Sequence, residues 1–233
     1  MSGNKILVVN GYSYAAAIAG LGAVTFDVNE FYSKPEDFKL VMFTGGEDVS
    51  PELYGDTSPR RVCQNSWKRD MEELDIFNSA IKHGIKMTGI CRGSQFLNVM
   101  SGGKMIHHLN NHGGVTHGFV SPKNREVLLV NSLHHQMMIP SEEGIVIGWA
   151  ERKLATIYLG NTDEVTAWDD VEVEAIFYPK TLCCGVQYHP EIMKKESDGY
   201  RFFHEMIADF LMMTAKQFSR IYTANEKTHQ AYR

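Results

Sequence analysis

Met87-Thr88-Gly89-Ile90-Cys91-Arg92-Gly93-Ser94-Gln95-Phe96-Leu97-Asn98-Val99-Met100 is the stretch on which the fold turns. Met87–Ile90 is a short apolar run of the kind that forms a buried strand. Phe96, Leu97, Val99 and Met100 follow at helical spacing, and Gly102 is a natural stop just beyond. Between the two segments stands Gly-x-Cys-x-Gly. A strand, a tight turn and a helix make the context of a nucleophile elbow, here with Cys91 where serine hydrolases carry Ser. Such a turn is strained and brings backbone close on both sides, which favours glycine at 89 and 93. It presents the sulfur at the carboxyl end of the sheet, where open α/β folds bind ligands. The helix that follows aims its N-terminus at the sulfur and favours the thiolate. The competing reading is a core cysteine, because free Cys is among the most buried residue types. The paired glycines and the strand–helix context favour the nucleophile.

Further apolar runs at Ile6–Val9, Leu40–Phe43 and Cys184–Val186 read as buried strands. Met71, Leu74, Phe77 and Ile81 predict one helix, ended by Gly84. Tyr200, Phe203, Ile207, Phe210 and Leu211 predict another, with Ser197 or Asp198 as its N-cap. Strands alternating with helices predict an α/β fold with a mainly parallel central sheet and helices on both faces. Val127–Val130, Ile145–Trp149, Thr166–Trp168 and Glu174–Tyr178 read instead as short antiparallel strands, a small extension beside the parallel core. The length, 233 residues, suits one large domain, placed at 1–214, with a polar, peripheral tail at 215–233.

A thiol nucleophile needs an imidazole nearby, and the chain offers ten histidines. Gly185-Val186-Gln187-Tyr188-His189-Pro190-Glu191 follows a strand, as a residue at the carboxyl edge of the sheet should. Pro190 stiffens the turn, and Glu191 is placed to orient the His189 ring. Read alone, the segment is equally a surface turn with an incidental His and Glu. Thr44-Gly45-Gly46-Glu47-Asp48 follows the Leu40–Phe43 strand. Its paired glycines can leave backbone N–H groups pointing into a cleft. The Gly46 N–H with that of Arg92 would make an oxyanion hole, although an isolated Gly-Gly is also an ordinary turn.

The formal net charge of -5 and the scattered Lys and Arg residues argue against a nucleic-acid surface. Residues 1–5 carry no signal-peptide pattern, and no apolar run reaches the length of a membrane span. Cys63, Cys91, Cys183 and Cys184 fit neither a disulfide framework nor a CxxC zinc site, and Cys183 and Cys184 should point to opposite faces of a strand. A cytoplasmic protein without membrane or nucleic-acid partners is expected.

These segments, in this order, make the chain resemble the class I glutamine amidotransferases, in the branch of γ-glutamyl-γ-aminobutyrate hydrolase. Gly45–Tyr54 looks like that branch's glycine-pair signature, and Arg69-Asp70 with Glu73 like its acidic helix start. Gly89–Val99 is close to its full elbow, and Asn131-Ser132-Leu133-His134-His135-Gln136 and Gly185–Glu191 complete the set. The resemblance runs from about Lys5 to the C-terminal helix and implies the flavodoxin-like fold of that family. It implies a triad of Cys91, His189 and Glu191, with Cys91 attacking a γ-glutamyl amide, His189 moving the proton and Glu191 orienting it. Gly46 and Arg92 would hold the oxyanion, a γ-glutamyl thioester would form, and water would hydrolyse it. Gln95, Leu133, His134 and His135 resemble the parts that grip the substrate's α-amino and α-carboxylate groups. No cofactor and no metal is implied.

Three functions share this pattern: a stand-alone hydrolase of a γ-glutamyl amine or peptide, a glutaminase subunit feeding ammonia to a separate synthetase or amidoligase, and a non-catalytic binding protein. One region departs from the branch. His107, His108, His112 and His117 form a histidine-rich loop, expected on the substrate side. His108 and His112 have the spacing of helical metal ligands, but Gly113 and Gly114 argue against a helix there.

Overall fold

The computed structural model describes residues 4–58, 61–161 and 164–223. The chain forms strand β1 (Lys5–Val9), β2 (Ala23–Thr25), helix α1 (Val28–Ser33), β3 (Phe38–Phe43), α2 (Trp67–His83), β4 (Lys86–Ile90) and α3 (Arg92–Met100). The short strands β5 (Lys104–Ile106) and β6 (His108–Leu109) lead into a long hairpin of β7 (Gly113–Ser121) and β8 (Asn124–Leu133). Then come β9 (Met137–Ile139), β10 (Ile145–Ala150), β11 (Tyr158–Leu159), β12 (Val173–Tyr178), β13 (Cys183–Val186), α4 (Asp198–Met212) and α5 (Ala215–Tyr222).

Nine strands share one sheet in the order β2-β1-β3-β4-β13-β12-β10-β7-β8. The first five are parallel, and from β12 onward the pairing is antiparallel. This is the expected parallel core with an antiparallel extension. The extension continues the same sheet, while β5–β9 and β6–β11 are separate two-stranded pairs. Both faces of the sheet are covered. Ile6, Val8, Leu40, Met42 and Cys184 meet α4 and α5 on one face, and Leu7, Val41, Phe43, Met87 and Cys183 meet the other core cluster. Cys183 and Cys184 thus do point opposite ways, as the period of two requires.

Three expectations change. Thr166–Trp168 is not a strand. Trp168 Nε1 donates to Val171 O at 3.0 Å within a local turn, and only Val165 makes a bridge, to Leu159. The buried face of α2 is Asp70, Glu73, Ile76, Phe77 and Ala80, whereas Ile81 is exposed. The tail is not peripheral where it is described. Thr214 and Gln217 form a capping box for α5, and Phe218 packs 4.8 Å from the Phe177 ring and 5.2 Å from that of Phe210. Residues 224–233 of the expected tail lie outside the described residues. No described helix is long and apolar enough to cross a membrane.

Candidate active site

The elbow forms at the end of β4. Cys91 takes φ 52° and ψ -116°, a left-handed φ that a residue with a side chain adopts only where its surroundings force it. Those surroundings are close packed. A Cβ at Gly89 would lie 2.3 Å from the Gly93 carbonyl carbon, and one at Gly93 would lie 2.2 Å from Phe43 O. The Cys91 N–H donates to Val186 O at 2.8 Å, which locks the turn to the end of β13. Cys91 O accepts from the Ser94 and Gln95 N–H groups and so starts α3.

Since β13 lies beside β4, the loop after it brings His189 to the elbow. His189 Nδ1–H donates to Glu191 Oε1 at 2.7 Å, and Pro190–Ile192 is a single helical turn that holds the pair together. Asn131, at the end of β8, grips the His189 backbone on both sides. Its Oδ1 accepts from the His189 N–H at 2.8 Å, and its Nδ2 donates to His189 O at 3.0 Å. Nothing in the spacing of the sequence assigns Asn131 this role, nor does it single out Tyr14. That ring lies 6.4 Å from the His189 ring, and its hydroxyl sits at the Gly45 backbone. Burial, with the charges of Glu191 and Cys91, pushes the Tyr14 phenol up to about 12, so it remains a neutral donor.

Burial opposes charge on His189, but hydrogen bonds and opposite charges from Cys91 and Glu191 outweigh it and raise the imidazole to about 10. The folded value is above the unfolded one. The stability from this group is therefore fully present below pH of about 6.5 and is lost as pH rises through about 10. An NMR titration of the His189 ring is expected to show no transition between pH of about 5 and 8, and a midpoint near 6.5 would refute the pairing with Cys91 and Glu191. In the Cys91→Ser variant the midpoint should fall, because the largest raising contribution is gone.

Arg92 turns its side chain inward. Its guanidinium is buried and bonded to Asp70 and Glu73, both fully buried on α2. Burial lowers Arg92 to about 10, which leaves it protonated at neutral pH. Glu73 Oε1 also accepts from Arg69 Nε at 2.9 Å and from Asn10 Nδ2 at 3.1 Å. Arg69 Nη2 donates to Thr44 O at 3.1 Å and to Gly45 O at 3.0 Å. One ionic cluster therefore ties the elbow to the paired glycines. In a trans peptide the N–H points opposite the C=O, so holding Gly45 O on Arg69 turns the Gly46 N–H away from Arg69. Arg92 opens α3, where its N–H has no intrahelical acceptor.

The other expected contacts divide. Gln95 is buried, with Nε2 3.5 Å from Gln136 O, and Leu133 is half exposed. His135 is partly open, with Nε2 3.2 Å from Asp48 and Nδ1 3.2 Å from His108 Nδ1. It lines a cleft of about 560 Å³ with Gly46, Glu47, Asp48 and His108. His134 does not open on that cleft. It is buried, and its two ring nitrogens meet Glu174 and Gln136 O inside the protein. The histidine-rich segment is not one loop. His108 lies in β6 and His117 in β7, and His107 and His112 are buried.

Residues 16–191 match the model of the peptidase C26 family. The chain belongs to the peptidase C26 family. It is 29% identical over 170 residues to a Lactococcus lactis protein that bears the name glutamine amidotransferase-like protein YvdE, a match covering 65% of each chain. It thus spans just under two thirds of that relative. A Schizosaccharomyces pombe protein named as a glutamine amidotransferase is 27% identical over 222 residues, covering 85% of this chain and 81% of its own length. Among solved structures, a Thermoplasma acidophilum protein named as a subunit of GMP synthase superposes with a TM-score of 0.55 at 16% identity. That match covers 95% of this chain and 98% of the other, and it shows the shared fold. The family model and these relatives thus place the chain in peptidase C26, beside proteins that bear glutamine amidotransferase names.

Proposed function

We propose that this peptidase C26 member hydrolyses a γ-glutamyl amide through a γ-glutamyl thioester on Cys91. The supporting observation is His189, carried to the Cys91 elbow by the loop after β13 and held by Glu191 at 2.7 Å. The Cys91 sulfur attacks the amide carbonyl, and the Gly46 and Arg92 N–H groups receive the developing oxyanion. His189, protonated at neutral pH, gives its proton to the leaving nitrogen as the C–N bond breaks. The neutral imidazole then takes a proton from water, whose oxygen attacks the thioester and releases glutamate and the free Cys91. Glu191 keeps the ring in the right tautomer throughout. The cleft beside Gly46 carries carboxylates from Glu47 and Asp48 together with Arg61 and His135. Opposite charges side by side suit the zwitterionic α-amino acid end of a γ-glutamyl group.

A second reading is supported by the name of the Thermoplasma protein: a glutaminase subunit that passes ammonia to a synthetase. The two readings share their chemistry and separate in one assay. Purified protein is offered glutamine and a panel of γ-glutamyl amines, and glutamate release is measured. Turnover of an amine conjugate well above that of glutamine is the expected result. Turnover of glutamine alone, rising on addition of a synthetase, would replace the hydrolase with the ammonia-delivering role. Binding of these ligands with no turnover would leave only a non-catalytic binding protein.

A further inference from the structure

Behind the catalytic loop lies a cluster that the hydrolysis does not use. Glu174, on β12, is fully buried. Three imidazole nitrogens converge on its Oε1: His112 Nδ1 at 3.4 Å, His117 Nε2 at 3.4 Å and His134 Nε2 at 3.3 Å. The opposite nitrogen of each ring is committed elsewhere. His112 Nε2 lies 2.9 Å from Glu172 Oε2, His117 Nδ1 lies 2.9 Å from Gly118 O, and His134 Nδ1 lies 2.9 Å from Gln136 O. Carbonyls and carboxylates only accept, so these three outer nitrogens carry the hydrogens.

In a neutral imidazole the other nitrogen is then a bare lone pair. Three lone pairs would face one carboxylate oxygen, which is repulsive. Protonating two rings would balance Glu172 and Glu174 but leave the third lone pair facing Glu174 Oε1, and protonating all three would leave one positive charge unbalanced. Hydrogen bonding around Glu174 is also poor. Charge-assisted N–H···O bonds run about 2.7–2.9 Å, shorter than all three separations here. Glu174 Oε2 and His117 Nε2 are buried and make no hydrogen bond among the described residues. Ser132 Oγ, 3.4 Å from His112 Nδ1, is the other polar neighbour of the inner nitrogens.

We propose that His112, His117, His134 and Glu174 are the ligands of a structural zinc ion. Zinc bonds of about 2.0–2.1 Å to nitrogen and oxygen, set at a tetrahedral angle, separate the ligand atoms by about 3.3 Å. His112, His134 and Glu174 lie within 4.8 Å of one another through these atoms, whereas His117 stands outside that trio, 3.4 Å from Glu174 Oε1, and would close the shell as fourth ligand by a shift of its ring. Each ring donates its outer N–H to a carboxylate or carbonyl, as zinc-bound imidazoles do. Two positive charges on the ion balance Glu174 and Glu172. Imidazole-rich sets select zinc over magnesium or calcium, and four protein ligands leave no open position, so the ion holds structure and does not activate water. It would join β7, β12 and the end of β8. Gln136 O, which anchors His134, also accepts from Gln187 Nε2 at 2.9 Å, two residues before His189.

The test is metal content and coordination of the full chain, prepared without an affinity tag. Elemental analysis should find one zinc per chain. After stripping, Co²⁺ should give the visible absorption of a tetrahedral site, and added Zn²⁺ should abolish it and raise the Tm. Glu172→Gln, which weakens the anchor of His112, should lower zinc affinity by about 10–100-fold, while Cys91→Ser should bind zinc as the parent does. Trace zinc, no tetrahedral Co²⁺ spectrum and no zinc-dependent change in Tm in the parent protein would overturn the proposal. The cluster would then be a hydrogen-bonded ionic network only. The parent measurements decide the matter even if Glu172→Gln fails to fold.

Discussion

Cys91→Ala should lose hydrolysis by roughly 10⁴–10⁶-fold, the range seen when a covalent nucleophile is removed from a triad. The effect is large because the sulfur makes a bond, and no neighbour can take its place. The remaining cysteines are buried, and burial pushes the thiols of Cys63, Cys183 and Cys184 up, which leaves them poor nucleophiles. Little volume is lost, so the circular dichroism spectrum and the Tm should stay close to those of the parent. Cys91→Ser keeps a hydroxyl on the same elbow but gives up the easily formed thiolate, and it should be nearly as inactive. A mass shift equal to a γ-glutamyl group, seen on the parent after rapid quenching and absent from both variants, would identify the intermediate. Full turnover in either variant would remove Cys91 from the mechanism.

The largest expected effect on stability comes from a residue that touches no substrate. Glu73→Ala should cost about 3–5 kcal/mol, as breaking a buried ion pair from one side does. Glu73 joins Arg92, Arg69 and Asn10 in one buried site. Without it, Arg92 keeps only Asp70, and the two guanidiniums face each other with less negative charge between them. That repulsion already contributes to lowering the Arg92 value. At about 2–4 °C per kcal/mol for a chain of this size, the thermal midpoint should drop by about 10 °C. Chemical denaturation would show the same loss as a lower midpoint at unchanged slope. A midpoint within about 1 °C of the parent would mean that the cluster adds nothing net to stability.

How far these features could be read in the sequence depends on the range of the interaction behind them. The elbow was legible because strand period, glycine spacing and helix period sit within a dozen neighbouring residues, and each constrains the next. The Val186–Glu191 segment was legible in kind but ambiguous in use, because its link to Cys91 runs across the sheet. The buried face of α2 differs from its local period for the same reason. Local period chose Met71 and Ile81, whereas the partners that bury Asp70 and Glu73 come from α3 and the Thr44–Gly45 turn. Resemblance of its segment points His134 at the substrate, yet its ring turns toward Glu174 on a distant strand. Asn131 enters the sequence reading only as part of a family segment, and Tyr14 not at all, since their contacts with the His189 backbone and ring exist only in the assembled fold. The amphipathic helix α5 was obscured by the polar residues around Phe218 and Tyr222.

The parallel pairing of β4 with β13, Ile90 beside Val186, has a consequence for how the enzyme is made. Cys91 leaves the ribosome long before the strand that brings His189 to it. β13 takes its place between β4 and β12, and α4 and α5 cover that region. On the proposed mechanism, a nascent chain halted before His189 carries the Cys91 thiol without its base. Sheets closed by such distant partners also form slowly. On that mechanism, activity therefore waits for β13 to pair with β4.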